Sequence, residues 1–179
     1  MDKIICLVGP SGSGKTTIAK ELEKEGYNII KSYTTREPRE LNEWGHTFID
    51  KLVEKEGVII GYDKEGKQVL KAYEGGKGEM IAFFNDYSKN EIYFATKDQY
   101  QGKGISIYTV DPDGAEQVRQ NVKDAEVLTL FLMVDEKERF RRLFTSREKG
   151  TSERRVMQDR EIFSKCKCDY VVDANRELG

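Results

Sequence analysis

Apolar residues cluster in short unbroken runs near both ends of the chain. Residues 3–9 carry Ile4, Ile5, Cys6, Leu7 and Val8; 104–110 and 127–134 are similarly rich in Ile, Val, Leu or Tyr. Runs of this length without polar alternation suit strands of a parallel sheet covered on both faces. Residues 169–172 predict a fourth. Segments 15–25, 113–122, 136–147 and 152–165 have helical character and lie between the runs. Strand alternating with helix predicts an α/β fold, a three-layer core around a parallel sheet. The interval 32–96 breaks this rhythm with aromatics, the turn signals Asp63-Lys64-Glu65-Gly66 and Gly75-Gly76-Lys77-Gly78, and β-prone runs at 57–62 and 80–84. It reads as a small, mostly β insertion at 32–96 in a core formed by 1–31 and 97–179.

The first apolar run leads into Gly9-Pro10-Ser11-Gly12-Ser13-Gly14-Lys15-Thr16, followed by Thr17 and by Ile18, Ala19 and Leu22 at helical spacing. A strand, this glycine and lysine spacing, and a helix together define a phosphate-binding loop (P-loop) and make the core that of a P-loop NTPase. Glycines without Cβ atoms let the backbone N–H groups turn inward, and the helix N-terminus favours an anion. Lys15 reaches the terminal phosphates and Thr16 offers its hydroxyl to Mg²⁺. Gly9, Ser11, Gly12, Ser13, Gly14, Lys15, Thr16 and Thr17 are the candidate ATP-binding residues, and ATP and Mg²⁺ the expected cofactors.

Composition narrows the partners. The chain has 30 Lys and Arg against 32 Asp and Glu, a net charge of -2. No overall field draws it to nucleic acid or an anionic membrane, so small-molecule nucleotides are the expected partners. The oligomeric state is left open. Met1-Asp2-Lys3 enters the first strand without the basic lead or apolar length of a secretory signal. No stretch is apolar for long enough to span a bilayer. With three sparse cysteines, a reducing cytoplasm is the expected location. Cys166 and Cys168, with His46 the only histidine, are too few for a tetrahedral zinc site.

Seven of the eleven arginines lie between Arg139 and Arg160, interleaved with Glu136, Glu138, Glu148, Glu153 and Asp159. Many of them suit surface ion pairs. The break Gly150-Thr151-Ser152 nevertheless makes this a helix, a hinge and a second helix bearing planar, always charged donors. A helical lid at about 139–160 that closes on phosphate is the expectation.

The stretch 32–48, Ser32-Tyr33-Thr34-Thr35-Arg36-Glu37-Pro38-Arg39 and onward to Phe48, sets two arginines three apart around Pro38. Their forks can converge on one phosphate. Here the chain resembles guanylate kinases: Thr34, Thr35, Arg36, Arg39, Gly45 and Phe48 match their signature. The resemblance continues through Tyr93-Phe94-Ala95-Thr96, Asp111-Pro112-Asp113-Gly114, Gly150-Thr151 with Arg160, and Asp169-Tyr170-Val171-Val172. It implies transfer of the γ-phosphoryl group of ATP to a nucleoside monophosphate, GMP or dGMP. Residue by residue, it implies that Ser32, Arg36, Arg39 and Phe48 surround the acceptor phosphate. Tyr93 and Thr96 lie beside the base, and Asp111 accepts from its N–H groups. Lys15, Arg36, Arg147 and Arg160 form the catalytic set, with Arg142 a further candidate.

The chain also departs from the pattern. Asn42 stands for a carboxylate, Phe48 for a tyrosine, and Thr109 for an acidic residue, and the interval from Phe48 to Tyr93 is longer. The guanine-reading glutamate of the family falls on Phe84 or Asn85, depending on a one-residue shift, and Asn85 is taken as the base contact. Two alternatives remain open: the same chemistry on another nucleotide or a ribose phosphate, and a non-catalytic binding module. Intact Lys15 and Thr16 weigh against the module.

Overall fold

The computed structural model describes residues 1–73, 80–145 and 166–175. In chain order the first strands are β1 (Asp2–Val8), β2 (Asn28–Ile29), β3 (Ser32–Thr34), β4 (His46–Phe48), β5 (Lys51–Lys55) and β6 (Val58–Tyr62). They are followed by β7 (Gln68–Tyr73), β8 (Met80–Asp86), β9 (Glu91–Thr96), β10 (Ile105–Thr109), β11 (Ala125–Met133) and β12 (Tyr170–Asp173). Among the described residues the α-helices are α1 (Lys15–Lys24), α2 (Pro112–Asn121) and α3 (Glu136–Thr145).

The core sheet has the order β12-β11-β1-β10-β2, with every neighbouring pair parallel. The apolar run of β1 is unbroken because both its faces are covered. Ile4, Cys6 and Val8 pack with Tyr108, Ala115 and Val118 on one side. Leu7 packs with Ala19 of α1 and Ile107 on the other. From β1 the chain runs through α1 to β2 at one edge, whereas β11 lies on β1's other side. The carboxyl end of β1 therefore opens at a topological switch point, where open α/β sheets bind ligands.

The four core strands expected from the pattern form within one or two residues of their predicted ends, as do helices α1 and α2. Edge strand β2 went unforeseen because two residues carry no periodic signal. The helix expected at 152–165, and the end of the one expected at 136–147, lie outside the described residues.

Between β2 and β10 the chain builds two further sheets. One has the order β4-β3-β9-β8 and the other is the meander β5-β6-β7. They share a core of Tyr33, Ile49, Leu70, Ala72 and Phe94. A Cβ on Gly61 would crowd this core, standing 3.1 Å from Leu70 Cβ and 3.3 Å from Ile49.

Side-chain contacts on both sides fix this region to the core. The Gln117 amide on α2 clasps the backbone of Phe83, accepting from its N–H at 2.8 Å and donating to its carbonyl at 3.0 Å. On the opposite side, Trp44 Nε1 donates to Glu23 of α1 at 2.6 Å, while Lys20 and Lys31 lie over the indole ring.

Candidate functional site: a phosphate loop facing an acceptor cavity

The loop after β1 folds as its glycines dictate. Gly12 and Gly14 have φ of 80° and 94°, in the left-handed region that costs other residues strain. A Cβ on Gly9 would lie 2.7 Å from Ser13 Oγ and 3.0 Å from the Leu132 carbonyl. Gly14 begins α1 without any side-chain cap, so the first N–H groups of the helix face outward to an anion.

Lys15 Nζ donates to the Gly9 carbonyl and so bridges the loop. From α3, Arg139 Nε donates to the Ser11 carbonyl at 3.1 Å and Arg142 Nη1 to the Gly12 carbonyl at 3.2 Å. Arg139 is buried. These arginines engage the loop's carbonyls. Arg142, read from sequence as part of the lid, is thus placed against the loop itself, with a second bond to the Ala174 carbonyl at 2.8 Å.

The loop fits a phosphate chain and its cation. Ser13 Oγ is buried without a hydrogen-bond partner among the described residues, an unsatisfied group of the kind an anion oxygen completes. Thr16 and Thr17 are exposed in the first turn of α1, where the Thr16 hydroxyl is open to a divalent ion.

Beyond the carboxyl end of β10, a cavity of about 270 Å³ separates the core from β8 and β9. Ser32, His46 and Tyr93 line one wall, Phe84 and Asp86 another, and Asp111, Asp113 and Gln117 the side of α2. Asp111 has a second duty here: its Oδ1 accepts from Gly114 N at 2.6 Å and caps α2.

Arg36 and Phe48 lie on a separate cavity of about 180 Å³ with Asp63 and Lys64. The Arg36 guanidinium packs over the Phe48 ring, 5.5 Å from its centroid. It forms a fork to Glu43, Nη2 to Oε1 at 2.6 Å and Nη1 to Oε2 at 3.2 Å. Glu43 also accepts from the Arg39 backbone N–H at 2.7 Å. Hydrogen bonding from Arg36 holds the Glu43 carboxyl down at about 2. The carboxylate missing at Asn42 is therefore present one residue later. The Arg39 side chain is exposed.

Two expected base contacts point elsewhere. Ala82, Phe83, Phe84 and Asp86 of β8 line the cavity, whereas Asn85, paired with Ile92, does not. Thr96 lies three residues beyond Tyr93 and hence on the opposite face of β9. It is fully buried, and its hydroxyl donates to Asp98 while its N–H donates to Gln99 Oε1 at 3.1 Å. It caps the short 3-10 turn Lys97–Gln99 and does not reach the acceptor cavity. Arg147 and Arg160 lie outside the described residues. Sequence reasoning missed Glu43, His46, Asp86 and Gln117. Only Glu43, one position off the signature, left a usable signal.

A phosphate loop at the switch point of a parallel sheet, facing a second cavity, defines a P-loop α/β protein. The family described as an AAA domain matches residues 5–164, in agreement with that class. Guanylate kinase of Prochlorococcus marinus subsp. pastoris is 30% identical, over 96% of this chain and 89% of that protein. Guanylate kinase of Prochlorococcus marinus strain MIT 9312 is 29% identical over 98% and 85%, and that of Rickettsia prowazekii 28% identical over 94% and 81%. The chain belongs to the guanylate kinase family, as a divergent member. Among the described residues no helix is long and apolar enough to cross a membrane.

Proposed function

We propose that this chain transfers the γ-phosphoryl group of ATP to a nucleoside monophosphate, GMP or dGMP, giving ADP and the diphosphate. The observation that carries this is the pairing of an intact phosphate loop with a second cavity, lined in part by the carboxylates of Asp86, Asp111 and Asp113, at the same end of the parallel sheet. The kinship with guanylate kinases over nearly the whole chain names the acceptor.

Phosphoryl transfer asks the protein chiefly to position and to neutralise charge. The loop N–H groups and Lys15 hold the ATP phosphates. Bound Mg²⁺, held through Thr16, supplies further charge neutralisation. Arg36 and Arg39 receive the acceptor phosphate, Tyr93 lies beside the base, and lid residues Arg147 and Arg160 close on the migrating group, as the family resemblance implies. For the base, the carboxylates of Asp86, Asp111 and Asp113 replace the glutamate whose slot is filled by Phe84. A carboxylate accepts but does not donate, which suits the N–H groups of guanine. A cytoplasmic location, where nucleoside monophosphates and ATP meet, belongs to the same reading.

The test is ADP release with ATP and Mg²⁺ against GMP, dGMP, IMP, AMP, CMP and UMP. Turnover on GMP and dGMP is expected, falling by roughly 10²- to 10³-fold in Lys15→Ala, the order seen when one charge-stabilising donor is removed. Turnover on another acceptor alone would overturn the guanine assignment.

A further inference from the structure

The carboxylates of Asp86, Asp111 and Asp113 line the larger cavity, and their surroundings divide their duties. Asp86 organises the turn that joins β8 to β9. Its Oδ1 accepts from the Ser88 N–H at 3.1 Å and the Ser88 hydroxyl at 2.6 Å, and Lys89 Nζ stands 3.6 Å from its Oδ2. Asp111 commits Oδ1 to the Gly114 N–H as the cap of α2. Asp113 is exposed and makes no hydrogen bond or ion pair among the described residues.

The helix fixes where this carboxylate stands. Asp113 precedes Gln117 by four residues, so the two share one face of α2 with Cβ atoms about 5–6 Å apart. Gln117 holds the backbone of Phe83, which draws that face against β8. The next residue of β8 is Phe84, in the slot of the family's guanine-reading glutamate. Phe84 offers no acceptor, but its ring is 51% exposed and lines the same cavity, a flat apolar surface on which a base stacks.

We propose that Asp113 selects guanine from the first turn of α2, accepting from N1–H and the 2-amino group of a base that lies against Phe84. The reading carboxylate is then supplied by the helix across the cavity from the strand that carries it in the family. A carboxylate accepts through two oxygens and donates nothing, and guanine offers two adjacent donors on that edge. Hypoxanthine keeps N1–H but lacks the amino group, and xanthine sets a carbonyl there, acceptor against acceptor. The expected order is therefore GMP, then IMP, then XMP. The inference rests on reading the cavity as the acceptor site. An acidic residue in the first turn also suits the helix dipole, a role indifferent to the base offered.

The experiment measures kcat/KM of the whole chain, with ATP and Mg²⁺, against GMP, IMP and XMP. Wild type is expected to favour GMP over IMP by about tenfold to a hundredfold, the size of one hydrogen bond to a charged group. Asp113→Asn should bring GMP down toward IMP and raise XMP relative to both, since the amide still accepts from N1–H and now donates to the 2-carbonyl. Asp113→Glu, which restores a carboxylate, should recover part of the preference for GMP. Phe84→Leu should weaken GMP and IMP alike and leave their ratio standing. Ratios within one variant do not depend on how much of it folds. A wild-type order of the three acceptors in Asp113→Asn, or an order lost in Asp86→Asn but kept in Asp113→Asn, overturns the inference. Absence of turnover on GMP by wild type above the Lys15→Ala blank overturns the guanylate reading and this one with it. Normal turnover on GMP, with IMP and XMP accepted equally well, overturns this one alone.

Discussion

At the scale of single residues, the acceptor loop is held by one carboxylate. Glu43 grips the Arg36 fork and the Arg39 backbone, and its carboxyl is lowered from 4.5 to about 2 by the bond from Arg36. A group whose pKa is depressed on folding stabilises the fold above its ordinary pKa. That contribution is lost as pH falls toward the depressed value. Wild type should therefore be more stable than Glu43→Gln in urea melts at pH 6, and the gap should close as pH drops from 4.5 toward 2. A gap of constant size would show that Glu43 acts only through uncharged packing. Gly9 offers a second residue test. Its missing Cβ is what lets Ser13 Oγ and the Leu132 carbonyl close in, so Gly9→Ala should abolish turnover and lower Tm, checked by ADP release and thermal melting.

Among elements, the contact between α2 and β8 decides the width of the acceptor cavity. Gln117 imitates a neighbouring strand by engaging both the N–H and the C=O of Phe83. Replacing it with Ala removes two hydrogen bonds, each worth about 1 kcal/mol. The expected result is stability lower by ~1–2 kcal/mol in denaturant melts, with a raised KM for GMP. Gln117→Glu keeps the acceptor for the Phe83 N–H but loses the donor, and should lie between. No pattern in the sequence announces such a clasp, because a glutamine on a helix reads as surface. The core strands were legible because β1 is covered on both faces and β1, β10 and β11 are rich in Ile, Val, Leu or Tyr. The meander of β5, β6 and β7 was legible only in outline, from its glycine turns. Asn85 and Thr96 were misassigned because side-chain facing depends on strand register, which a one-residue shift reverses; the hairpin of β8 and β9 fixes that register through pairing invisible in either strand alone.

For the whole molecule, the acceptor cavity lies between the core sheet that carries the phosphate loop and the sheet of β8 and β9, so catalysis requires the two sheets to hold a common frame or to close together. The frame is joined on two sides, by Gln117 and Asn121 on the α2 side and by Trp44 on the α1 side. The second joins the loop that carries Arg36, Arg39 and Glu43 to the helix that begins at Lys15, and Trp44 is the only tryptophan in the chain. Its indole donates to Glu23 and lies beneath two ammonium groups, a polar setting that any shift between loop and helix disturbs. The protein consequently carries its own optical probe: the emission maximum and intensity of one fluorophore report the opening and closing of this joint, and a stopped-flow trace on mixing with GMP would time it without any attached label.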